Sequence, residues 1–114
     1  MPGRSCRTVR RMLKLVVLYT RPSDLDAFES HYTGVHVPMV AALPGLVRSE
    51  TAVFVGTLDG SPAPFHRIAE LYFQDAAAMD SAFGTEQGRA TAADAQELSA
   101  RTGATVTMAV AALD

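Results

Sequence analysis

His36 is the residue of this chain whose type and position best suit acid–base chemistry. It stands two residues before Pro38, and proline favours the first turn of a helix, so we expect the imidazole beside a new helix N-terminus. The partial positive charge there disfavours an imidazolium, and a neutral imidazole can accept a proton from an acidic carbon or a phenol. The alternative is a core histidine that bonds a backbone carbonyl and shapes the break in the helix.

Glu70 is the second candidate for proton transfer, because it stands in the apolar stretch IAELY. A carboxylate with such neighbours needs a partner or must take up a proton. Lys14 is the only lysine and lies on a strand expected to neighbour this one, so a Lys14–Glu70 cross-strand pair is the favoured interpretation. The sharper hypothesis makes Glu70 an acid or base opposite His36.

The other histidines and the cysteine form no recognisable metal or nucleophile site. Five residues separate His31 from His36, which places them about 140° apart on an α-helix, so a shared metal is not expected. We expect His31 to be exposed and His66, beside a Gly- and Pro-rich loop, to lie at the surface or at a pocket mouth. Cys6 has no second cysteine, and no Gly-rich loop carries a phosphate-site lysine. The sequence therefore predicts no cofactor and no metal.

Composition limits the classes of protein that could carry these residues. The chain has 114 residues, of which 48% are apolar and 19% are charged, and its net charge is −2. These values are typical of one globular domain and speak against a disordered or nucleic-acid-binding chain. No run of eighteen apolar residues is present, so no membrane partner is expected and a soluble cytoplasmic protein is the default. Residues 1–11 hold four arginines and no acid, which predicts a disordered basic tail before a domain at 12–114.

Apolar patterning predicts the strands and helices that must position these side chains. Continuous apolar runs predict strands at Leu13–Tyr19, Leu46–Val55, His66–Gln74 and Thr105–Leu113. Helical spacing and N-caps predict a helix from Ser23 to about Thr33, a break, a short turn from Pro38, and two helices after Asp75 and Thr85 that end at Gly84 and near Ala100. The order is β-α-β-β-α-β, an α+β ferredoxin-like fold with one four-stranded antiparallel sheet.

The predicted strands are apolar on both faces, although helices can cover only one face of such a sheet. An apolar second face would be a large exposed patch on a chain of this size. The simplest arrangement that buries it is a homodimer that packs sheet on sheet.

Several segments carry a resemblance to a known family. They are MLKLVVLYTRP, AFESHYTGVHVPMVAALPGL, RIAELYF and DAAAMDSAF. The most specific is the aromatic helix that runs into His36-Val37-Pro38 and then Leu43-Pro44-Gly45. These segments, from about Met12 to Leu113, resemble the EthD family of the dimeric α/β-barrel superfamily, which is associated with ethyl tert-butyl ether degradation clusters.

The resemblance implies a barrel formed by two subunits with a pocket in each, and it implicates His36 in that pocket. Superfamily relatives include lactone isomerases, polyketide cyclases, cofactor-free monooxygenases and haem-handling proteins. Membership therefore indicates the fold better than the chemistry.

We place the predicted pocket between the inward face of the sheet and the broken helix, with His36 at its polar end. The candidate lining is Glu70, Tyr32, Met39, Phe54, Tyr72 and Met108. The favoured function is the binding of a small hydrophobic carbonyl or phenolic compound, with cofactor-free acid–base catalysis by His36 of the isomerase, cyclase or monooxygenase type. Two alternatives stay open: a non-catalytic carrier, and a haem protein in which His36 or His66 is an axial ligand.

Overall fold

One antiparallel sheet of four strands organises the molecule, which is described here from a computed structural model covering residues 11–114. The strands are β1 (Leu13–Tyr19), β2 (Leu46–Val53), β3 (Arg67–Phe73) and β4 (Val106–Ala112), and their order in the sheet is β2-β3-β1-β4. The predicted ferredoxin-like α+β fold is confirmed. The predicted tail lies outside the described residues apart from Arg11, whose side chain donates to the carbonyl of Leu113 at 3.0 Å.

The register of β1 against β3 separates the sheet into two chemically different faces. On one face Leu15 lies opposite Leu71 and Val17 opposite Ala69, and the helices cover these residues. On the other face Val16 lies opposite Glu70, because side chains alternate along a strand. Helices cover only the first face, so the second face stays open in a single chain.

The helices are α1 (Leu25–His31), α2 (Val37–Ala41), α3 (Ala76–Gly84) and α4 (Glu86–Thr102), with a π-helical turn at Tyr32–His36 between α1 and α2. Asp75 and Thr85 cap α3 and α4 as predicted. The cap of α1 is Asp24 rather than the predicted Ser23: the Asp24 carboxylate accepts from the backbone N–H of Ala27, while the Ser23 hydroxyl donates to the carbonyl of Thr102.

The predicted break between Thr33 and Pro38 is wrong, because the chain stays helical through both residues. Pro38 has no N–H to donate, and its ring would clash with the carbonyl of residue 34 in a regular α-helix. The π-helical turn widens the backbone at this point, and the N–H of Val37 bonds the carbonyl of Tyr32. Gly34 and Pro38 are therefore accommodated inside the helix instead of ending it.

Two glycines allow the helices to approach their neighbours closely. At Gly88, an added Cβ would lie 2.0 Å from the carbonyl oxygen of Ala82, so only glycine permits the close passage of α4 beside α3. Gly103 ends α4 in the left-handed conformation, with φ of 79°, beside the Ser23 side chain.

The core lies between the helices and the covered face of the sheet, and aromatic rings fill its centre. The largest fully buried side chains are Tyr19, Tyr32, Phe28, Phe73, Leu98 and Thr102. None of the helices within residues 11–114 is both long and apolar enough to cross a membrane.

Candidate functional site

The π-helical turn brings His31 and His36 to one side of the helix. In a regular α-helix a separation of five residues would turn them about 140° apart. The wider turn brings both imidazoles to the same carboxylate, that of Asp94. π-helical turns are rare and occur often at functional sites. The expectation that His31 and His36 point apart is therefore wrong, and His31 is partly rather than fully exposed.

Asp94 lies on α4 and accepts hydrogen bonds from both rings. His36 Nδ1 lies 2.8 Å from Oδ2, and His31 Nε2 lies 2.9 Å from Oδ1 and 3.0 Å from Oδ2. Burial raises the pKa of the Asp94 carboxyl, but the hydrogen bonds from His31 and His36 outweigh it and the net pKa is lowered. Asp94 is therefore a carboxylate that accepts from two imidazoles.

Hydrogen-bond roles assign the proton on each imidazole. Arg101 can only donate, and its Nη2 lies 3.4 Å from His31 Nδ1, so that nitrogen accepts and His31 Nε2 carries the proton given to Asp94. Asp94 likewise accepts from His36 Nδ1. The remaining ring nitrogen, His36 Nε2, has no hydrogen-bond partner among residues 11–114. In the neutral tautomer that donates from Nδ1, this nitrogen bears the lone pair that a general base requires.

His36 borders a cavity between the helices and the covered face of the sheet. The other lining residues are Leu15, Val17, Tyr19, Val40, Ala69, Leu71, Phe83, Thr91, Ala92, Ala95 and Met108. The cavity and its mouth enclose about 350 Å³, of which about 30 Å³ can hold the centre of a water molecule. The lining is mostly apolar, so it suits an apolar ligand with few polar groups. Phe83 and Met108 are the partly exposed aromatic and sulfur-containing residues of this lining.

A cluster of aromatic rings holds His36 in place at this cavity. The Tyr32 ring stacks on the His36 ring at 5.7 Å and on the Phe28 ring at 5.5 Å. Tyr19 meets Phe28 and Tyr32 edge to face, at 5.2 and 5.5 Å. Such contacts stabilise the orientation of a ring as well as burying its area. The His36 imidazole is therefore held by the stacked Tyr32 ring and by its hydrogen bond with Asp94.

The structure brings only part of the predicted site together. His36 and Met108 line the cavity, and Tyr32 packs against His36 without lining it. Met39 is half-buried on α2 outside the cavity lining, and Phe54 borders a different pocket.

Glu70 and Tyr72 are separated from His36 by the sheet, which corrects the hypothesis of a joint site. Both lie on the open face, because Phe73 and Leu71 take the alternate positions under the helices. The Glu70 carboxylate pairs with Lys14 Nζ at 2.8 Å, as the favoured interpretation predicts. The Arg48 guanidinium covers the Tyr72 ring at 3.8 Å from its centre. These residues form a charged group on the open face.

A second carboxylate–imidazole pair joins Glu29 of α1 to His66, which precedes β3. His66 Nε2 lies 2.9 Å from the Glu29 carboxylate, which also receives two hydrogen bonds from Arg67 at 2.9 and 2.7 Å. His66 borders a pocket that encloses about 910 Å³ with its open mouth, under the loop that follows β2, with Phe54 and Arg21 among its other residues. His66 is buried, so the expectation that it lies at the surface is wrong, and the pocket that it borders is not the one that His36 lines.

Sequence reasoning missed Asp94 and Tyr19. A signal for Asp94 existed: it follows Thr91 by three residues and precedes Leu98 by four, so it shares the buried stripe of α4. An acid on a buried stripe needs a partner from another element. Tyr19 ends an apolar strand, and its sequence context offers no sign that its hydroxyl is unpaired.

Within residues 11–114, no group of three or more histidine, cysteine, aspartate or glutamate side chains has an arrangement that could hold a metal ion. His31 Nε2 and His36 Nδ1 are each hydrogen-bonded to the Asp94 carboxylate. His66, the alternative haem ligand, has its Nε2 bonded to Glu29.

The sheet order, the helices on one face and the cavity beneath them define a ferredoxin-like α+β domain. The chain belongs to the EthD family, since the model of the EthD domain matches residues 21–102. It is also 36% identical over 83 residues to an uncharacterised 11.0 kDa protein of Rhodococcus erythropolis from the thcB–thcC intergenic region, covering 73% of this chain and 80% of that protein.

Solved structures agree with this assignment. An EthD family protein from Bacillus halodurans superposes with a TM-score of 0.80 at 30% identity, covering 88% of this chain and 96% of that one. SnoaB, a cofactor-independent oxygenase from Streptomyces nogalater, superposes with a TM-score of 0.61 at 16% identity, covering 91% of this chain and 94% of that one. The second likeness shows a shared fold.

Proposed function

We propose that this EthD protein binds a small hydrophobic carbonyl or phenolic compound in the cavity under its helices and removes a proton from it without a cofactor. His36 is the general base. The observation that carries the proposal is the pairing of His36 Nδ1 with Asp94 at 2.8 Å, while Nε2 has no partner among the described residues and the ring borders an apolar cavity.

The proposed step is an enolisation. The bond between hydrogen and the carbon beside the carbonyl breaks, and the proton passes to His36 Nε2. The electron pair of that bond forms a carbon–carbon double bond, and the carbonyl oxygen takes the negative charge. Return of a proton to carbon completes an isomerisation, so the step balances with no oxidant or reductant.

Asp94 supports this role by holding the ring and by stabilising the imidazolium that forms. The carboxylate keeps the Nδ1–H tautomer, which leaves Nε2 able to accept a proton.

Relatives fit the proposal at the level of fold and class. SnoaB is a cofactor-independent oxygenase, so this fold can carry cofactor-free chemistry. The proposal assigns Glu70 no part in proton transfer, since its carboxylate lies across the sheet and pairs with Lys14.

The proposal includes a homodimer, because one apolar face of the sheet has no cover in a single chain. Val16, Leu18 and Ile68 lie on that face, half-exposed, beside Ala109 and Ala111 of β4. A second copy that packs sheet on sheet buries this surface and forms the barrel that the resemblance implies.

The test uses β-tetralone, a hydrophobic ketone with acidic hydrogens beside its carbonyl. In D₂O the protein is expected to accelerate exchange of those hydrogens, followed by proton NMR. His36→Asn should lower the exchange rate about 10²–10⁴-fold, the range for positioned proton transfer.

His66→Asn is the matched control, because it removes another buried, carboxylate-paired imidazole that does not line the cavity. It is expected to leave exchange unchanged. Retained binding with no exchange above the solution rate in the wild-type protein would contradict catalysis and identify a carrier.

A further inference from the structure

The Tyr19 hydroxyl is completely buried and has no hydrogen-bond partner among the described residues. Tyr19 ends β1, is 0% exposed and lines the same cavity as His36. Buried polar groups are nearly always paired, and leaving a donor unpaired costs about 1–3 kcal/mol. A partner supplied by a bound molecule accounts for a hydroxyl in this position.

The packing of Tyr19 does not depend on its hydroxyl. The ring makes edge-to-face contacts with Phe28 and Tyr32, and phenylalanine would make the same contacts. The buried hydroxyl therefore lowers the stability of the folded chain, and no contact within the chain compensates for it. Polar groups that destabilise the free protein in this way are common where a protein must bind something.

The Tyr19 hydroxyl keeps its proton. Burial raises its pKa far above the ordinary value for tyrosine, and the nearby charge of Asp94 raises it further. The group therefore acts as a hydrogen-bond donor rather than as a base. Tyr19 thus brings a donor to a cavity where His36 Nε2 brings an acceptor.

Resting on the proposed function, we propose that Tyr19 is a second catalytic residue and that the substrate is a hydrophobic ketone with an acidic hydrogen on the neighbouring carbon. The Tyr19 hydroxyl donates to the ketone oxygen, and His36 Nε2 takes the hydrogen. Such a ketone has one hydrogen-bond acceptor for the Tyr19 hydroxyl and one acidic hydrogen for His36 Nε2. The rest of the molecule is apolar, like the rest of the cavity.

The hydrogen bond from Tyr19 becomes stronger as the reaction proceeds. The ketone oxygen gains negative charge when the electron pair of the broken carbon–hydrogen bond shifts to form the enolate. A donor aimed at developing charge in a site with little water stabilises the transition state more than the ground state. Tyr19 therefore favours the binding of a ketone and also increases the rate of proton removal.

The experiment compares Tyr19→Phe with the wild-type protein on two probes, β-tetralone and the hydrocarbon tetralin, which has the same ring system without the oxygen. Binding of each probe is measured by ligand-observed NMR. Tyr19→Phe is expected to weaken β-tetralone binding about tenfold and to leave tetralin binding unchanged. Deuterium exchange of bound β-tetralone should slow about 10²–10³-fold.

Two further measurements separate this role from a structural one. The thermal unfolding temperature of Tyr19→Phe should equal or exceed that of the wild type, because an unpaired buried hydroxyl has been removed. The infrared carbonyl stretch of β-tetralone bound to the wild-type protein should shift to lower frequency, and that shift should disappear in Tyr19→Phe. Tyr72→Phe, on the opposite face of the sheet, is the matched control and should change none of these values.

The outcomes distinguish this inference from the proposed function. Equal β-tetralone binding and an equal carbonyl stretch in Tyr19→Phe and wild type would overturn the role of Tyr19, even if His36→Asn abolishes exchange. Equal weakening of both probes would also overturn it, since that indicates a change of cavity shape. If instead His36→Asn exchanges normally while Tyr19→Phe loses the ketone preference, catalysis by His36 fails and the ligand class stands.

Discussion

Asp94 fixes the orientation of the His36 ring, since its carboxylate is hydrogen-bonded to the imidazoles of both His31 and His36. Acceptance of the Nδ1 proton of His36 leaves Nε2 as the basic atom at the cavity. His31 has a side chain that is 23% exposed and lies on the other oxygen of the carboxylate. Asp94 thus connects the buried His36 imidazole to the partly exposed His31 imidazole.

Glu29 forms the second charged cluster, and its effect on stability depends on pH. Hydrogen bonds from Arg67 lower the pKa of Glu29 most strongly, burial opposes them, His66 adds to the lowering, and the pKa falls from 4.5 to about 2. A depressed carboxyl pKa stabilises the fold at pH values above the unfolded pKa, and that stability is lost as pH falls through the folded value.

Glu29→Gln should therefore lower the free energy of unfolding by about 1–2 kcal/mol at pH 7, a value reduced for partial exposure. The difference from wild type should shrink below about pH 4.5 and vanish near pH 2. Urea unfolding at a series of pH values measures this, with the exposed Asp80→Asn as control. A difference that is constant over that range would show that the Glu29 charge does not matter.

At the level of single residues, the sequence indicated His36 but not its partners. The motif around His36 and Pro38 marked an irregular helix, and the Lys14–Glu70 pair followed from strand adjacency. Asp94 is distant in sequence, and its contact with His36 depends on how α4 crosses the first helix. The spacing of apolar and polar residues does not show how two helices cross. The sequence alone therefore could not identify Asp94 as the hydrogen-bond partner of His36.

The π-helical turn is the element that reconciles Gly34 and Pro38 with a continuous helix. The sequence predicted an interruption at the correct place, because both residues disfavour an α-helix. It did not predict the form of the interruption. Widening one turn keeps the helix packed on the core, whereas a break would expose backbone groups of Tyr32 and its neighbours.

The approach of α3 and α4 depends on Gly88, and α4 carries Asp94. An added Cβ at Gly88 would overlap backbone atoms of Ala82 and Phe83, so α4 must shift. Gly88→Ala should lower the free energy of unfolding by at least about 1–3 kcal/mol, the cost of overpacking a core. Chemical denaturation measures the change.

Gly84→Ala provides the matched control for that substitution. Gly84 ends α3, and an added Cβ there would meet nothing within 4 Å. This variant should be as stable as wild type or slightly more stable, because alanine restricts the unfolded chain. Equal stabilities of the two variants would contradict the close α3–α4 contact.

At the scale of the whole molecule, we expect the open face of the sheet to determine assembly. The wild-type protein is expected to have the mass of a dimer by light scattering at micromolar concentration, since the apolar residues of β1 and β3 need cover. Ile68→Lys places a charge on that face, opposite Leu18, and should shift the mass toward a monomer.

Val55→Lys is the control, because Val55 is 99% exposed in the loop after β2. It should leave the dimer unchanged. A monomeric wild-type protein at that concentration would remove the basis for the barrel.

The central claim is that Asp94 holds His36 with its proton on Nδ1 and a lone pair on Nε2, and nitrogen NMR of histidine-labelled protein measures this directly. The two ring nitrogens have different chemical shifts according to which one is protonated, and His36→Asn identifies the signals of His36. We expect Nδ1 protonated and Nε2 unprotonated at pH 7, with this pattern lost in Asp94→Asn. A proton on Nε2 of His36 in the wild-type protein at pH 7 would contradict the account.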